Sequence, residues 1–152
     1  MSEAAIRPAT PADALAIAQV RVDAWRTTYR GLMPAAYLAA MKVEDSHVLW
    51  NRVLTAAPNT TSTVVATVDG QVVGFASALM LAEPKFGLDA ELSAIYLYRD
   101  RQRAGLGTGL LAAVLAAQRR HGATGLLTWV IAGNRGARAF YERYGAELVV
   151  EQ

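Results

Sequence analysis

The sequence predicts an α/β fold, a mixed sheet with helices on both faces, and three observations carry that prediction. Two β-rich runs, STVVATV and QVVGFASALML, are joined by Asp69-Gly70, the two-residue turn that antiparallel strands prefer. A glycine-rich stretch, DRQRAGLGTGL at 100–110, lies between strand-like ELSAIYLY and helix-like LLAAVLAAQRRHG. Beyond it, strand-like and helix-like segments alternate to the end of the chain.

Taken in order, Ile6-Arg7-Pro8 reads as a short strand closed by proline. Thr10 then caps a helix with Pro11 at its first position. Leu15, Ala18, Val22 and Trp25 recur at helical spacing and predict one buried stripe. TTYRGLMP, at 27–34, breaks this helix, and 34–41 and 44–55 read as further helical pieces, the second with Val48, Leu49, Arg52 and Val53 on alternating turns. The hairpin about Asp69-Gly70 follows, then AEPKFGLDA as a loop and 91–98 as the strand before the glycine stretch. After the next helix come a strand at 125–131, a helix at 134–144 and a last strand at 147–150. The order is β-α-α-β-β-β-α-β-α-β, with no internal repeat and no linker, so residues 1–152 are expected to form a single domain.

Composition narrows the function. Hydrophobic residues make up 53% and charged residues 18%, which suits a globular core. The formal net charge is +2 with dispersed positive residues, which argues against nucleic acid as a partner. The local exception is Arg99, Arg101 and Arg103, at the glycine stretch. No cysteine is present, so no disulfide or zinc–thiolate site can form, and we expect no metal. The N-terminal segment holds Glu3, Arg7 and Asp13 and lacks the apolar core of a signal peptide. The longest uncharged apolar run, VVGFASALMLA, falls well short of the roughly 20 residues of a membrane helix. These readings predict a cytoplasmic protein without a membrane partner.

The glycine stretch asks what it holds. A helix N-terminus offers unpaired N–H groups and the positive end of the helix dipole, and glycine lets a bulky anion come close. A triphosphatase phosphate loop needs Gly-Lys-Ser/Thr, and no lysine stands here. A dinucleotide fingerprint needs G-x-G-x-x-G, but Leu110 occupies the third glycine position, late in the chain and after a hairpin.

What remains is Gln102-x-x-Gly105-x-Gly107, the Q/R-x-x-G-x-G/A signature, flanked by ELSAIYLY and LLAAVLAA and followed by NRGARAFYERYGAELV. On these residues the chain resembles the GNAT superfamily of acetyl-CoA-dependent N-acetyltransferases over most of its length. The resemblance implies acetyl-CoA as cosubstrate, its pyrophosphate gripped by backbone N–H groups in the segment of Gln102, Arg103, Ala104, Gly105, Leu106, Gly107 and Thr108. It implies a bulged strand that splays from its neighbour to admit pantetheine, with Leu97 supplying backbone contacts. In the sequence itself, aliphatic residues fall at 92 and 94 and then at 95 and 97, so the register slips near Ala94 and Ile95, or the strand is buried on both faces.

Further roles follow from the resemblance. Tyr141 matches the tyrosine that protonates the departing thiolate, and it also suits a core aromatic beside Phe140 and Tyr144. Glu91 resembles the carboxylate that takes the proton of the incoming ammonium, and it also suits a solvated strand end. Asn134 would hold the pantetheine arm, cap the following helix, or do both. Trp25 and Tyr29, beside the TTYRGLMP break, flank the region that walls the acceptor, with core packing favoured for Trp25. The acceptor is then a small-molecule or protein amine. Two rivals stay open: a coenzyme A-binding sensor without turnover, and a dinucleotide-binding oxidoreductase domain. The sequence stops at Glu151-Gln152, without the further strand found in many GNAT members, so either the protein is naturally short, the sequence is trimmed, or a second subunit covers the last edge in a homodimer.

Overall fold

A computed structural model describes residues 3–56, 60–102, 105–131 and 133–146. The elements are β1 (Ala4–Pro8), α1 (Ala14–Thr28), α2 (Ala35–Ala40), α3 (Val43–Thr55), β2 (Ser62–Val68), β3 (Gln71–Lys85), β4 (Leu88–Leu97), α4 (Leu106–Arg120), β5 (Leu126–Thr128) and α5 (Arg135–Arg143), with single 3-10 turns at Pro11–Asp13 and Arg99–Arg101. The strands form one five-stranded sheet in the order β1-β2-β3-β4-β5. All pairs are antiparallel except β4–β5, which is parallel. The predicted mixed α/β architecture is therefore present. The expected last strand at 147–150 lies outside the described residues.

Each face of the sheet carries its own core. On one, Leu110, Leu111 and Val114 of α4 pack on Val64, Ala76 and Leu92. On the other, Ala14, Ile17 and Val20 of α1 and Trp50 of α3 close over Val65 and Phe75. Phe75 is fully buried, edge-on to Trp50 at 5.0 Å and tilted to Tyr96 at 5.8 Å. Burial in α1 is broader than one stripe because the helix lies between the sheet and α3. Ile17, Ala18, Val20 and Val22 are buried, while Leu15 faces solvent. In α3, Val48 and Leu49 are exposed and Trp50 is the residue that enters the core.

The start of α1 is fixed electrostatically. Thr10 donates its backbone N–H to the Asp13 carboxylate at 2.7 Å, and the Arg7 guanidinium grips the same carboxylate with two hydrogen bonds of 2.8 and 2.9 Å. Chiefly through the Arg7 bonds, the Asp13 carboxyl is held below the usual carboxylate range. A group depressed in this way stabilises the fold above the unfolded carboxyl value of about 4, and that contribution is lost as pH falls through the lower folded value. Asp13→Asn should cost about 1 kcal/mol at neutral pH and far less in acid below the lowered folded value. Urea midpoints of both proteins at the two pH values would reveal the difference, and a constant gap would contradict it.

Three segments depart from the sequence expectation, and all shape the site. AEPKFGLDA is not a loop. β3 runs on to Lys85, Phe86-Gly87 makes a tight turn with φ of 53° and 76°, and β4 begins at Leu88. Pro84 lies where pairing lapses between Met80–Ala90 and Lys85–Leu88, which is where a strand tolerates a missing donor. The expected slip in β4 is present but earlier. Ser77 pairs with Ala94 and Ala78 with Leu92, which leaves Ser93 as the extra residue, its hydroxyl bonded to the Ser77 carbonyl at 3.1 Å. Finally β5 spans Leu126–Thr128, not 125–131, because its pairing with β4 stops at Leu92–Thr128, one residue before the bulge turns β4 away.

Candidate active site

The bulge and the short β5 act together. Across from β5, β4 is paired only through Leu92, while β4 itself continues to Leu97. The two chains part beyond that point, and a cleft of about 490 Å³ occupies the gap. One wall is the β4 segment from Ser93 to Leu97, and the opposite wall is Thr128, Trp129 and Val130. Gly105, Gly107 and Thr108 close one end. Asn134, Phe140 and Tyr141 supply a third side from α5, and Tyr29 reaches in from the end of α1. Unpaired strand backbone on both walls is what an extended ligand with amide groups needs.

At the α4 end the glycines have separate reasons. Gly105 caps the helix in the left-handed conformation at φ 81°, which a side chain resists. A Cβ on Gly107 would come to 3.5 Å from Phe140 and 3.6 Å from Leu97, ordinary packing distances, so it is a side chain larger than a methyl group that would fill the space between those two residues. A Cβ on Gly109 would meet Ile6 of β1 at 3.2 Å, so that glycine brings the helix close to the sheet. Among the described residues, none accepts from the backbone N–H groups of Leu106, Gly107 or Thr108, the first turn of a helix of 15 residues. The Leu106 side chain packs into the α4 core, so only its backbone faces this task. Gln102 points its amide at the Leu97 carbonyl at 3.5 Å, and the Thr108 and Tyr144 hydroxyls are hydrogen-bonded, tying α4 to α5. Arg103 and Ala104 lie outside the described residues.

Asn134 caps α5, its Oδ1 accepting from the Ala137 N–H at 3.1 Å, and it also lines the cleft. Tyr141 lies seven residues on, half-buried against Phe140 at 5.3 Å. Burial pushes its phenol up to about 12, an effect that the nearby Thr128 hydroxyl partly offsets and Tyr29 reinforces. Tyr96, on the α1 face, is also raised, first by burial and then by Tyr29. The cleft thus gathers three phenols, those of Tyr29, Tyr96 and Tyr141, and burial keeps the last two protonated at physiological pH.

Two expected residues stand elsewhere. Trp25 does not line the cleft. It packs edge-on against the cleft residue Tyr29 at 4.7 Å, with the Arg21 guanidinium 4.9 Å over its ring. Glu91 sits below the bulge, still within the β4–β5 ladder opposite Leu127, and is not in the cleft lining. Its Oε1 accepts from the Trp129 indole N–H at 3.1 Å. Trp129, Tyr96 and Thr128 are cleft residues that sequence reasoning passed over. For Trp129 the signal was available, a large aromatic in the strand just ahead of the Asn134 helix.

Known proteins of this shape are consistent with the geometry. The model of the Acetyltransferase (GNAT) family matches residues 21–146. The chain is 37% identical over 147 residues to the uncharacterized N-acetyltransferase YuaI of Bacillus subtilis (strain 168), covering 96% of this chain and 82% of that one. Its fold resembles that of the PaiA N-acetyltransferase of Thermoplasma acidophilum, solved in complex with coenzyme A, with a TM-score of 0.82 at 19% identity over 99% of this chain and 93% of that chain. A putative acetyltransferase of the same family from Desulfovibrio desulfuricans superimposes with a TM-score of 0.70 at 27% identity, over 98% and 89% of the two chains.

Proposed function

Because this chain belongs to the GNAT acetyltransferase family and is therefore an acyltransferase, we propose that it moves an acetyl group from acetyl-CoA to a primary amine by direct attack in a ternary complex. The observation that carries this reading is the cleft between the parted β4 and β5, with the first-turn N–H groups of α4, unengaged among the described residues, at one end and the Tyr141 phenol on its side. Residues 1–152 would act as one catalytic domain. No helix among the described residues is long and apolar enough to cross a membrane, which is compatible with the cytoplasmic location we propose.

The residues fit the cosubstrate on structural grounds. The left-handed Gly105, the missing side chain at Gly107 and the N–H groups of Leu106 to Thr108, unengaged among the described residues, suit a diphosphate. Gln102 steadies the end of β4 at the Leu97 carbonyl. Leu97 and its neighbours offer backbone to the pantetheine amides, and the Asn134 side-chain amide is free to donate there once its Oδ1 has capped α5. Acetyl-CoA supplies an activated acyl carbon and a thiolate leaving group. Tyr141, neutral because it is buried, would donate its proton to the sulfur as the carbon–sulfur bond breaks and the carbon–nitrogen bond forms. The acceptor nitrogen releases one proton to water, and the phenol recovers one, so the proton count closes. Tyr29 and Tyr96 would border the amine on the α1 side.

The test is a thiol-release screen with acetyl-CoA over a panel of amines, paired with thermal shifts for coenzyme A and for a nicotinamide dinucleotide. We expect stabilisation by coenzyme A alone and thiol release with at least one amine. Binding without release on any amine would favour a sensor, and stabilisation by the dinucleotide would overturn the reading.

A further inference from the structure

At the open side of the cleft, three groups that the proposed reaction does not use stand together. Trp129 is a cleft-lining residue, yet it is 49% exposed. Phe86 packs edge-on against it, with ring centroids 6.2 Å apart, and is 52% exposed. Glu91 bonds the Trp129 indole through Oε1. Among the described residues, nothing donates to its Oε2 and no Arg, Lys or His pairs with it. Two aromatic faces and an unneutralised carboxylate in one place attract a cation, through the ring quadrupoles and the charge together.

The local sequence supports a function over mere packing. Phe86 occupies the first position of a tight turn at φ 53°, where asparagine, aspartate or glycine would be at ease. A bulky aromatic at a strained position, left half in solvent, is a pattern that accompanies ligand sites. It gains little burial there, and among the described residues its one ring contact is Trp129. The indole bond to Glu91 in turn fixes the Trp129 ring at the cleft wall, next in sequence to Thr128, the neighbour of the Tyr141 phenol.

We propose that Glu91, Trp129 and Phe86 form an acceptor subsite for a second cationic group, so that the preferred substrates are aliphatic amines carrying another ammonium away from the one acetylated. This rests on the acetyl-transfer reading above. It also gives Glu91 a different task from proton removal: a carboxylate that binds a permanent charge selects the substrate, whereas a base acts on every amine alike. The attacking nitrogen has to be neutral, while the distal one is best kept charged. A diamine near neutral pH offers both forms in equilibrium.

The experiment compares α,ω-diamines of increasing length with n-alkylamines of matched length, in wild type, Glu91→Gln and Trp129→Ala. In the wild type, kcat/KM should favour diamines by about tenfold or more at one optimal length, equivalent to about 1.4 kcal/mol. In both variants that ratio should fall towards unity, mainly through KM for the diamine. Retained stabilisation by coenzyme A shows that the variants are folded. Equal losses on mono- and diamines, or a wild type indifferent to the second charge, would overturn the subsite. A diamine titration followed by tryptophan fluorescence, with Trp129→Phe as the reference, separates the two proposals. Trp129-dependent quenching by diamines without any turnover would remove the transferase reading and leave the subsite standing; turnover without diamine preference would do the reverse.

Discussion

Replacing Tyr141 with phenylalanine should lower kcat by about 10²–10⁴-fold, the usual contribution of a positioned proton donor, with KM for acetyl-CoA little changed. The substitution is chosen to be conservative in shape. The ring keeps its edge contact with Phe140 at 5.3 Å, so no cavity opens and the fold should be retained. What is lost is one O–H at the cleft. Burial raises this phenol to about 12, so it stays protonated from about pH 6 to about pH 10 and is available as an acid throughout that range. The rate should therefore climb with pH as the acceptor ammonium, of pKa about 10.4, loses its proton, with no fall assignable to Tyr141 in that interval. Steady-state kinetics across pH on both proteins would decide the matter. A Tyr141→Phe enzyme with undiminished kcat would return this residue to the packing role that its neighbours Phe140 and Tyr144 also suit.

The sequence made parts of this site readable for identifiable physical reasons. A glycine that must adopt φ 81° at a helix cap, and another whose place between Leu97 and Phe140 has room for little beyond a methyl group, leave a recognisable glycine pattern in the sequence. The same holds for the bulge. Aliphatic residues at 92, 94, 95 and 97 betray a change of face, and the structure places the extra residue at Ser93. The turn at Phe86-Gly87 was not readable, because Glu83, Pro84 and Lys85 have loop-like composition and pairing with β4, lapsed after Met80, resumes only at Lys85–Leu88. Trp25 and Tyr29, four apart on a helix, share a face. Only the end of α1, where Tyr29 leaves helical geometry at ψ 10°, determines which of the two reaches the cleft. Glu91 and Trp129 are 38 residues apart, and their bond follows from the parallel register of β4 and β5, which no local pattern encodes.

Replacing Gly107 with phenylalanine should weaken coenzyme A binding by at least about a hundredfold, about 2.7 kcal/mol, while the protein remains folded. Gly107 has ordinary helical geometry, and a Cβ there would make contacts of 3.5 and 3.6 Å, both normal for packed carbon atoms. Alanine should thus leave the melting temperature nearly unchanged and reduce affinity moderately. A larger group must extend towards Leu97 and Phe140, at the end of the cleft lined by Gly105, Gly107 and Thr108. Gly105→Ala should behave in the opposite way. Its φ of 81° penalises any side chain by about 1–2 kcal/mol, so it should lower stability. Nothing lies within 4 Å of an added Cβ there, so direct obstruction of the ligand should be smaller than at Gly107. Calorimetric titration of coenzyme A alongside thermal melts distinguishes blockage from strain. If Gly107→Phe binds coenzyme A as tightly as the wild type, the diphosphate is not seated at the N-terminus of α4, and the roles proposed for Gln102, Leu97 and Asn134 fail with it.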